Sequence, residues 1–299
     1  MRRRGGERRA LDGIKRIEVV ANCASGSVGR TAPAQVEQIL GELGLTANIH
    51  APEREGIADS LKAAVQAKPD LLVVLAGDGT ARAAAELCGP TGPIIAPLAG
   101  GTMNMLPHAI YGVRPWQEAL RLAMTEGVER PIGGGEVDGH RFMVAAILGP
   151  PALWAPAREA ARFGMGRKAI RSARLALGRA FSGRLRYILD GGQREKAEAL
   201  IFMCPLTSKV LSEDDDTLEA AGVDVNNAAE AIRLGFHALT GDWRTAPNVD
   251  VERCRIARIW SANPIPALLD GESVRLKALT DVRYIPKIAR ILALPRDSE

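Results

Sequence analysis

The sequence predicts two successive fold classes, an N-terminal doubly wound parallel-sheet α/β domain and a C-terminal β-sandwich domain. Three observations carry this. Strand-length apolar runs at 17–22 (IEVVAN), 71–75 (LLVVL) and 93–98 (PIIAPL) alternate with segments of helical period, which is the rhythm of βαβ units. Beyond about residue 131 that rhythm gives way to short strand-like runs punctuated by Asp138-Gly139 and Asp270-Gly271, strong hairpin signals. The 299 residues, 46% hydrophobic and 25% charged, are enough for two domains with sizeable cores.

Taken in order, the first strand at 17–22 runs into Cys23-Ala24-Ser25-Gly26-Ser27-Val28-Gly29. Small residues at that place can turn their amides on a phosphate, and a plain strand-to-helix turn accounts for them equally well. Residues 34–43 space Val36, Ile39, Leu40 and Leu43 as one helical face, with Gly44 as the stop. A short strand is expected at 47–50, and a second helix at 57–66, where Ile57, Leu61, Ala64 and Val65 align. The continuous run at 71–75 suits a parallel strand covered on both faces. It ends at Ala76-Gly77-Asp78-Gly79-Thr80, whose glycines let the backbone turn and approach a ligand. A short helix, the strand at 93–98 and a second loop, Gly100-Gly101-Thr102, follow. Ligands of open α/β sheets lie beyond the carboxyl ends of the strands, so two such loops suggest one shared phosphate site. A helix at 116–124 completes the domain, and Gly133-Gly134-Gly135 reads as a break in the pattern.

In the second half, residues 157–187 carry nine Arg and Lys among apolar residues, with Glu159 as the one acid. Such a segment suits an anionic membrane surface, or else the solvated face of an ordinary helix. Strands are expected at 185–189, 198–204 and 255–260, and an apolar helix at 228–239. The run Glu213-Asp214-Asp215-Asp216 is either a solvated loop or a set of oxygen ligands for a hard cation. Residues 282–294 alternate apolar and basic side chains, as a strand returning to the first domain would.

Composition narrows the classes. The +4 formal charge is too small an excess for a nucleic-acid binder, and 4% aromatic residues leave few stacking platforms. No apolar run reaches the length of a spanning helix, so membrane contact is expected to be peripheral. Residues 1–15 are basic without the apolar core of a secretory signal, which points to a flexible tail. Cys23, Cys88, Cys204 and Cys254 form no paired motif and read as thiols of a cytoplasmic protein.

Four motifs in order resemble the diacylglycerol kinase catalytic-domain family, which includes sphingosine kinases and soluble bacterial lipid kinases. Asn22-Cys23-Ala24-Ser25-Gly26 is similar to its N-P-x-S-G loop and Ala76-Gly77-Asp78-Gly79-Thr80 to its G-G-D-G-T loop. Residues 97–104 are similar to P-L-G-T-x-N with a small insertion, and Asp270-Gly271-Glu272 to D-G-E. The resemblance implies transfer of the γ-phosphoryl group of ATP, with Mg²⁺, to a lipid hydroxyl of diacylglycerol or sphingoid type. The reaction is expected in a cleft between the two domains. It divides the chain into a tail (1–15), a nucleotide-binding domain (16–131), a lipid-binding sandwich (132–285) and a C-terminal segment (286–299). Nucleotide contacts are then expected from Asn22, Ser25, Gly26, Ala76, Gly77, Asp78, Gly79, Thr80, Gly100, Gly101, Thr102 and Asn104. Glu272 is the favoured base, Asp270 its neighbour, and Asp78 orients phosphates or Mg²⁺ through water. Asp216 and the Leu218 carbonyl match the family's second, structural cation site, although Thr217 stands where glycine is usual.

Three further departures are visible. Cys23 replaces proline, Ala76 replaces the first loop glycine, and Met105 stands where the family has an acid. They keep open a nucleotide- or lipid-binding homologue with weakened catalysis. An NAD kinase-like enzyme shares the G-G-D-G-T loop but fits the second loop less well. The expected partners are a lipid substrate and an anionic membrane surface, with no nucleic acid; a homodimer is compatible with the chain.

Overall fold

The computed structural model describes residues 13–25, 28–52, 56–153, 184–208, 210–212, 215–224, 244 and 249–295. The chain forms two compact units, Met1–Gly133 with Lys287–Glu299, and Gly134–Pro286.

The first unit contains β1 (Ile17–Ala21), α1 (Ala32–Glu42), β2 (Asn48–His50), α2 (Ile57–Gln66), β3 (Leu71–Ala76), α3 (Asp78–Cys88), β4 (Ile94–Ala99), α4 (Met105–Tyr111) and α5 (Trp116–Glu126). Its strands stand in the order β2-β1-β3-β4 and pair in parallel throughout. All six side chains of β3 are buried, because a central parallel strand is covered on both faces and no polar alternation is required of it. Each such Val or Leu contributes roughly 1.5–3 kcal/mol by leaving water. Helix α1 packs against α5 and α2 against α3. The end of β16 (Leu279–Ala293) adds to this sheet, Arg290 and Ile291 lying parallel to Ile94 and Ile95. The Tyr111 hydroxyl donates to the Leu292 carbonyl at 2.5 Å and anchors that return; burial pushes the phenol well above its usual range.

The chain leaves the first unit within β5 (Val128–Val137). The second unit continues with β6 (His140–Phe142), β7 (Ala145–Leu148), β8 (Leu185–Leu189), β9 (Glu195–Ala197), β10 (Ala199–Met203), β11 (Leu218–Val223), β12 (Val249–Cys254), β13 (Ile256–Trp260), β14 (Ile265–Leu269) and β15 (Glu272–Leu276). One sheet runs β12-β11-β10-β7-β14-β15, antiparallel at every pairing. The other has the order β16-β13-β8-β9, with the β5–β6 hairpin beside β16. Phe142, Leu148, Leu200, Phe202, Ile259 and Val282 share one core, so the two sheets form the predicted sandwich.

The structure corrects the reading of the triple glycine. Gly133, Gly134 and Gly135 lie inside β5. At Gly135 the place of a side chain is filled by the ring of Phe142, its cross-strand partner. Glycine there makes room for an aromatic residue and does not end the strand. The helix expected at 228–239, and the basic segment up to residue 183, lie outside the described residues. All four cysteines are free thiols, and burial pushes Cys88 and Cys254 up to about 12.

Candidate nucleotide site

The loops after β1, β3 and β4 lie together at the carboxyl ends of three neighbouring strands, and backbone contacts lock them. The Asn22 amide donates to the Leu75 carbonyl at 2.9 Å, and the Gly100 amide to the Ala76 carbonyl at 3.0 Å. The Ser25 hydroxyl donates to the Gly100 carbonyl. A Cβ on Gly101 would stand 2.6 Å from the Gly77 Cα, and one on Gly100 2.7 Å from the Ala76 nitrogen. Glycine at 100 and 101 is therefore demanded by backbone packed on backbone. Ser25 belongs to the same contact, while Gly26 lies outside the described residues.

The segment expected as a glycine loop is largely helix. Gly77 is the N-cap of α3, with φ −81° and ψ 170°, and Asp78, Gly79 and Thr80 form the first turn. The Thr80 and Ala81 amides donate to the Gly77 carbonyl. Those of Asp78 and Gly79 have no intrahelical acceptor, which makes this end of the helix suited to an anion. Thr80 is half-buried in the same turn.

Asp78 itself is aimed at another helix. Its two carboxylate oxygens accept the Met105 and Leu106 amides at 3.1 and 3.0 Å, so it caps α4 from 27 residues away. Burial raises its pKa, and these two amides, with His108 nearby, oppose the rise. Asn104 is likewise structural: its Oδ1 accepts the Gly101 amide at 2.6 Å and its Nδ2 donates to the Gly101 carbonyl at 3.1 Å. It sits in the left-handed region, φ 51° and ψ 37°, at the start of α4, a conformation that Asn tolerates. Both amide atoms thus close the second loop. Thr102 is exposed on that loop. At Asn22 the situation is reversed, because its Oδ1 is buried and meets no hydrogen-bond donor among the described residues. An orphaned acceptor beside free helix-end amides fits a bound group carrying both donors and phosphate oxygens.

In the second unit, Asp270 and Gly271 form the β14–β15 turn, with φ 47° and 88°, as a two-residue hairpin requires. Asp270 is 8% exposed, and its carboxylate accepts the amides of Met143, Val144 and Ala145 at 2.8, 2.9 and 3.0 Å. With three donors already on it, Asp270 holds the turn against the start of β7 and is poorly placed to take a proton. Glu272, opposite Leu269 at the head of β15, is exposed. Asp216 lies 3.9 Å from the Arg255 guanidinium, whose Nε donates to the Asp216 carbonyl at 3.2 Å. Leu218 opens β11 opposite Cys254. Among the described residues no three Asp, Glu, His or Cys side chains cluster as a metal site would require.

The partners missed from sequence are backbone ones. The amides of Met105 and Leu106 and those of residues 143–145 have no residue-type signature, so only the isolated carboxylates pointed to them.

Residues 16–137 match the model of the diacylglycerol kinase catalytic domain. Among solved structures, it is similar to a diacylglycerol kinase from Bacillus anthracis str. Sterne, with 16% identity, a TM-score of 0.68, and 95% of this chain and 98% of that one covered. Two further structures from that organism share 17% and 18% identity, each with a TM-score of 0.69 and the same coverage. At this identity the likeness establishes the two-domain fold. No curated protein sequence gives a significant match.

Proposed function

We propose that the protein is an ATP-dependent lipid kinase that transfers the γ-phosphoryl group to a hydroxyl of a diacylglycerol- or sphingoid-type lipid. The observation that carries this reading is the locked set of three loops, with the buried Asn22 Oδ1, which meets no donor among the described residues, and the open end of α3 beside it. Phosphoryl transfer needs positioning and charge stabilisation more than covalent participation by the protein.

In this reading the Asp78 and Gly79 amides take phosphate oxygens, and Asn22 accepts from a donor of the nucleotide. Thr80 and Thr102 provide hydroxyls at the rim. Mg²⁺, when bound, would supply positive charge against the phosphates, and Asp78, whose oxygens hold α4, would orient it through water. Glu272 takes the proton of the acceptor hydroxyl as its oxygen bonds to the γ-phosphorus and the bond to the β-phosphate oxygen breaks, releasing ADP. Asp270 holds the turn that carries Glu272 and is a positioning residue. Met105 matters through its amide, which Asp78 accepts, so the missing acid in its side chain leaves that contact intact. In this reading the protein works in the cytoplasm with peripheral access to its lipid. No described helix is long and apolar enough to cross a membrane.

The test is transfer of labelled phosphate from Mg-ATP to a panel of diacylglycerol, sphingoid base, ceramide and total bacterial lipid, with NAD as a control acceptor. Labelled lipid supports the reading. A folded sample that is stabilised by Mg-ATP yet labels no lipid would mark a binding protein, and labelled NADP an NAD kinase.

A further inference from the structure

The outer face of the β16-β13-β8-β9 sheet has no partner element among the described residues, and its chemistry is unusual for an exposed sheet. Directly paired residues share a face, so the register places Ile256, Arg258 and Trp260 of β13 beside Arg283, Asp281 and Leu279 of β16. On the other side Arg258 and Trp260 pair with Ile188 and Arg186 of β8, and Arg186 with Lys196 of β9. The alternate residues, Ala257, Ile259, Val282 and Tyr187, point into the sandwich core. Arg194 lies over the Trp260 ring, 4.6 Å from its centre.

The open face therefore gathers Arg186, Lys196, Arg258 and Arg283, with Arg194 just before β9, around one carboxylate, Asp281; the second carboxylate of these strands, Glu195, pairs with Tyr187 and accepts its hydroxyl. Asp281 is held between Arg258 at 2.9 Å and Arg283 at 3.4 Å. On the neighbouring hairpin Glu136 and Arg141 offset one another. Between the cations stand large apolar groups, Leu279 at 61% and Ile256 at 48% exposure, with part of Trp260. A depression of about 450 Å³ opens on the same face, where Arg258, Lys277 and Arg283 stand with Glu136, Asp138 and Asp281 beside Leu279. A protein meant only to stay in solution gains nothing from Leu and Ile at those exposures beside clustered arginine. A nucleic-acid groove would call for stacking rings, and Trp260 already has a guanidinium over it.

We infer that this sheet face is the surface by which the protein lies on an anionic lipid bilayer. Arg and Lys take the headgroup phosphates, Leu279 and Ile256 enter the interface, and Trp260 sits at headgroup depth, where its amphipathic ring is favoured. The inference rests on the lipid-kinase reading for its purpose, but its test uses neither ATP nor turnover, so the two fail independently.

The experiment is co-sedimentation of the full chain with phosphatidylglycerol-containing vesicles and with pure phosphatidylcholine vesicles at fixed salt. Binding should be confined to the anionic vesicles. Removing one basic charge should weaken it about fivefold, and the double charge reversal Arg186→Glu with Lys196→Glu, a change of four charge units, should weaken it about 600-fold. Both side chains are exposed, and circular dichroism checks that the variants fold. As a second readout, brominated anionic lipid should quench tryptophan fluorescence in the wild type, and Trp260→Phe should remove most of that quenching. Equal binding of the reversed variant, equal binding to neutral vesicles, or quenching that persists in Trp260→Phe would overturn the inference. So would absence of vesicle binding coupled with tight binding to nucleic acid.

Discussion

Asp78, in the first turn of α3, holds the N-terminus of α4 by accepting the Met105 amide at 3.1 Å. This contact links the residue most expected to serve the phosphates to the residue whose side chain departs most from the motifs the sequence resembles. It also makes the two loops one mechanical unit, because Asn104, at the start of α4, closes the loop that packs on Gly77.

Asp78→Ala should therefore do more than remove activity. From sequence alone the substitution is expected to leave the fold intact. With two charge-assisted bonds to α4 amides lost, it should cost about 2–4 kcal/mol. Chemical unfolding measures this, and a stability equal to wild type would contradict the capping role.

The same carboxylate has a pH signature. Burial is the largest influence on it and raises its pKa above the ordinary 3.8. The folded state thus binds more protons than the unfolded one as pH rises from 3.8 through the raised value, and stability falls across that window. Asp78→Asn cannot titrate, so its stability relative to wild type should improve as pH rises from the ordinary 3.8 through the raised value. Paired urea unfolding curves decide it; a relative loss with rising pH would reverse the sign.

Two neighbouring glycines should behave differently. A Cβ on Gly101 collides with Gly77 Cα at 2.6 Å, whereas one on Gly77 meets Gly101 Cα at an ordinary 3.5 Å. Gly101→Ala should cost about 1–3 kcal/mol by overpacking and abolish the thermal shift given by Mg-ATP. Gly77→Ala should be markedly milder in both measurements, and equal effects would show that the loops are not packed as described.

Asp270 and Glu272 should separate stability from turnover. Asp270→Ala leaves three amides without their acceptor and should destabilise by about 3–5 kcal/mol. Glu272→Gln, at an exposed strand start, should change stability by less than about 1 kcal/mol while removing phosphoryl transfer. Thermal melts and single-turnover assays on both variants test the division.

The buried pair Glu219–Arg244 is a further test of the second unit. Glu219 is fully buried and receives the Arg244 guanidinium, one nitrogen at 2.9 Å, together with the Ser208 hydroxyl. Arg244→Met should cost about 3–5 kcal/mol, because the carboxylate is left without its counter-charge. Arg244→Met with Glu219→Leu should recover most of that loss in the same unfolding assay.

Much of the fold was legible because it rests on local pattern. The helix expected at 57–66 is α2 with the same bounds, and the strand expected at 185–189 is β8. Both have strong periodicity or strand-length apolar character. Helix α4 was not anticipated: it spans seven residues, includes Pro107, and owes its start to a carboxylate in another helix. Strand β5 was misread at its glycines because the reason for Gly135 is a ring in the next strand. The site shows the same division. The placement of loops after strands could be read from the order of motifs. The engagement of Asp78, Asn104 and Asp270 with backbone amides could not, since a carboxylate that caps a helix and one that faces a ligand look alike in a sequence.

The central claim is tested most directly by incubating wild type and Glu272→Gln with labelled Mg-ATP and total bacterial lipid, and counting label in the lipid phase. Lipid labelled by the wild type, and not by a Glu272→Gln protein of equal stability, is the predicted result. A wild type that labels no lipid, or a variant that labels it at the same rate, would contradict the account.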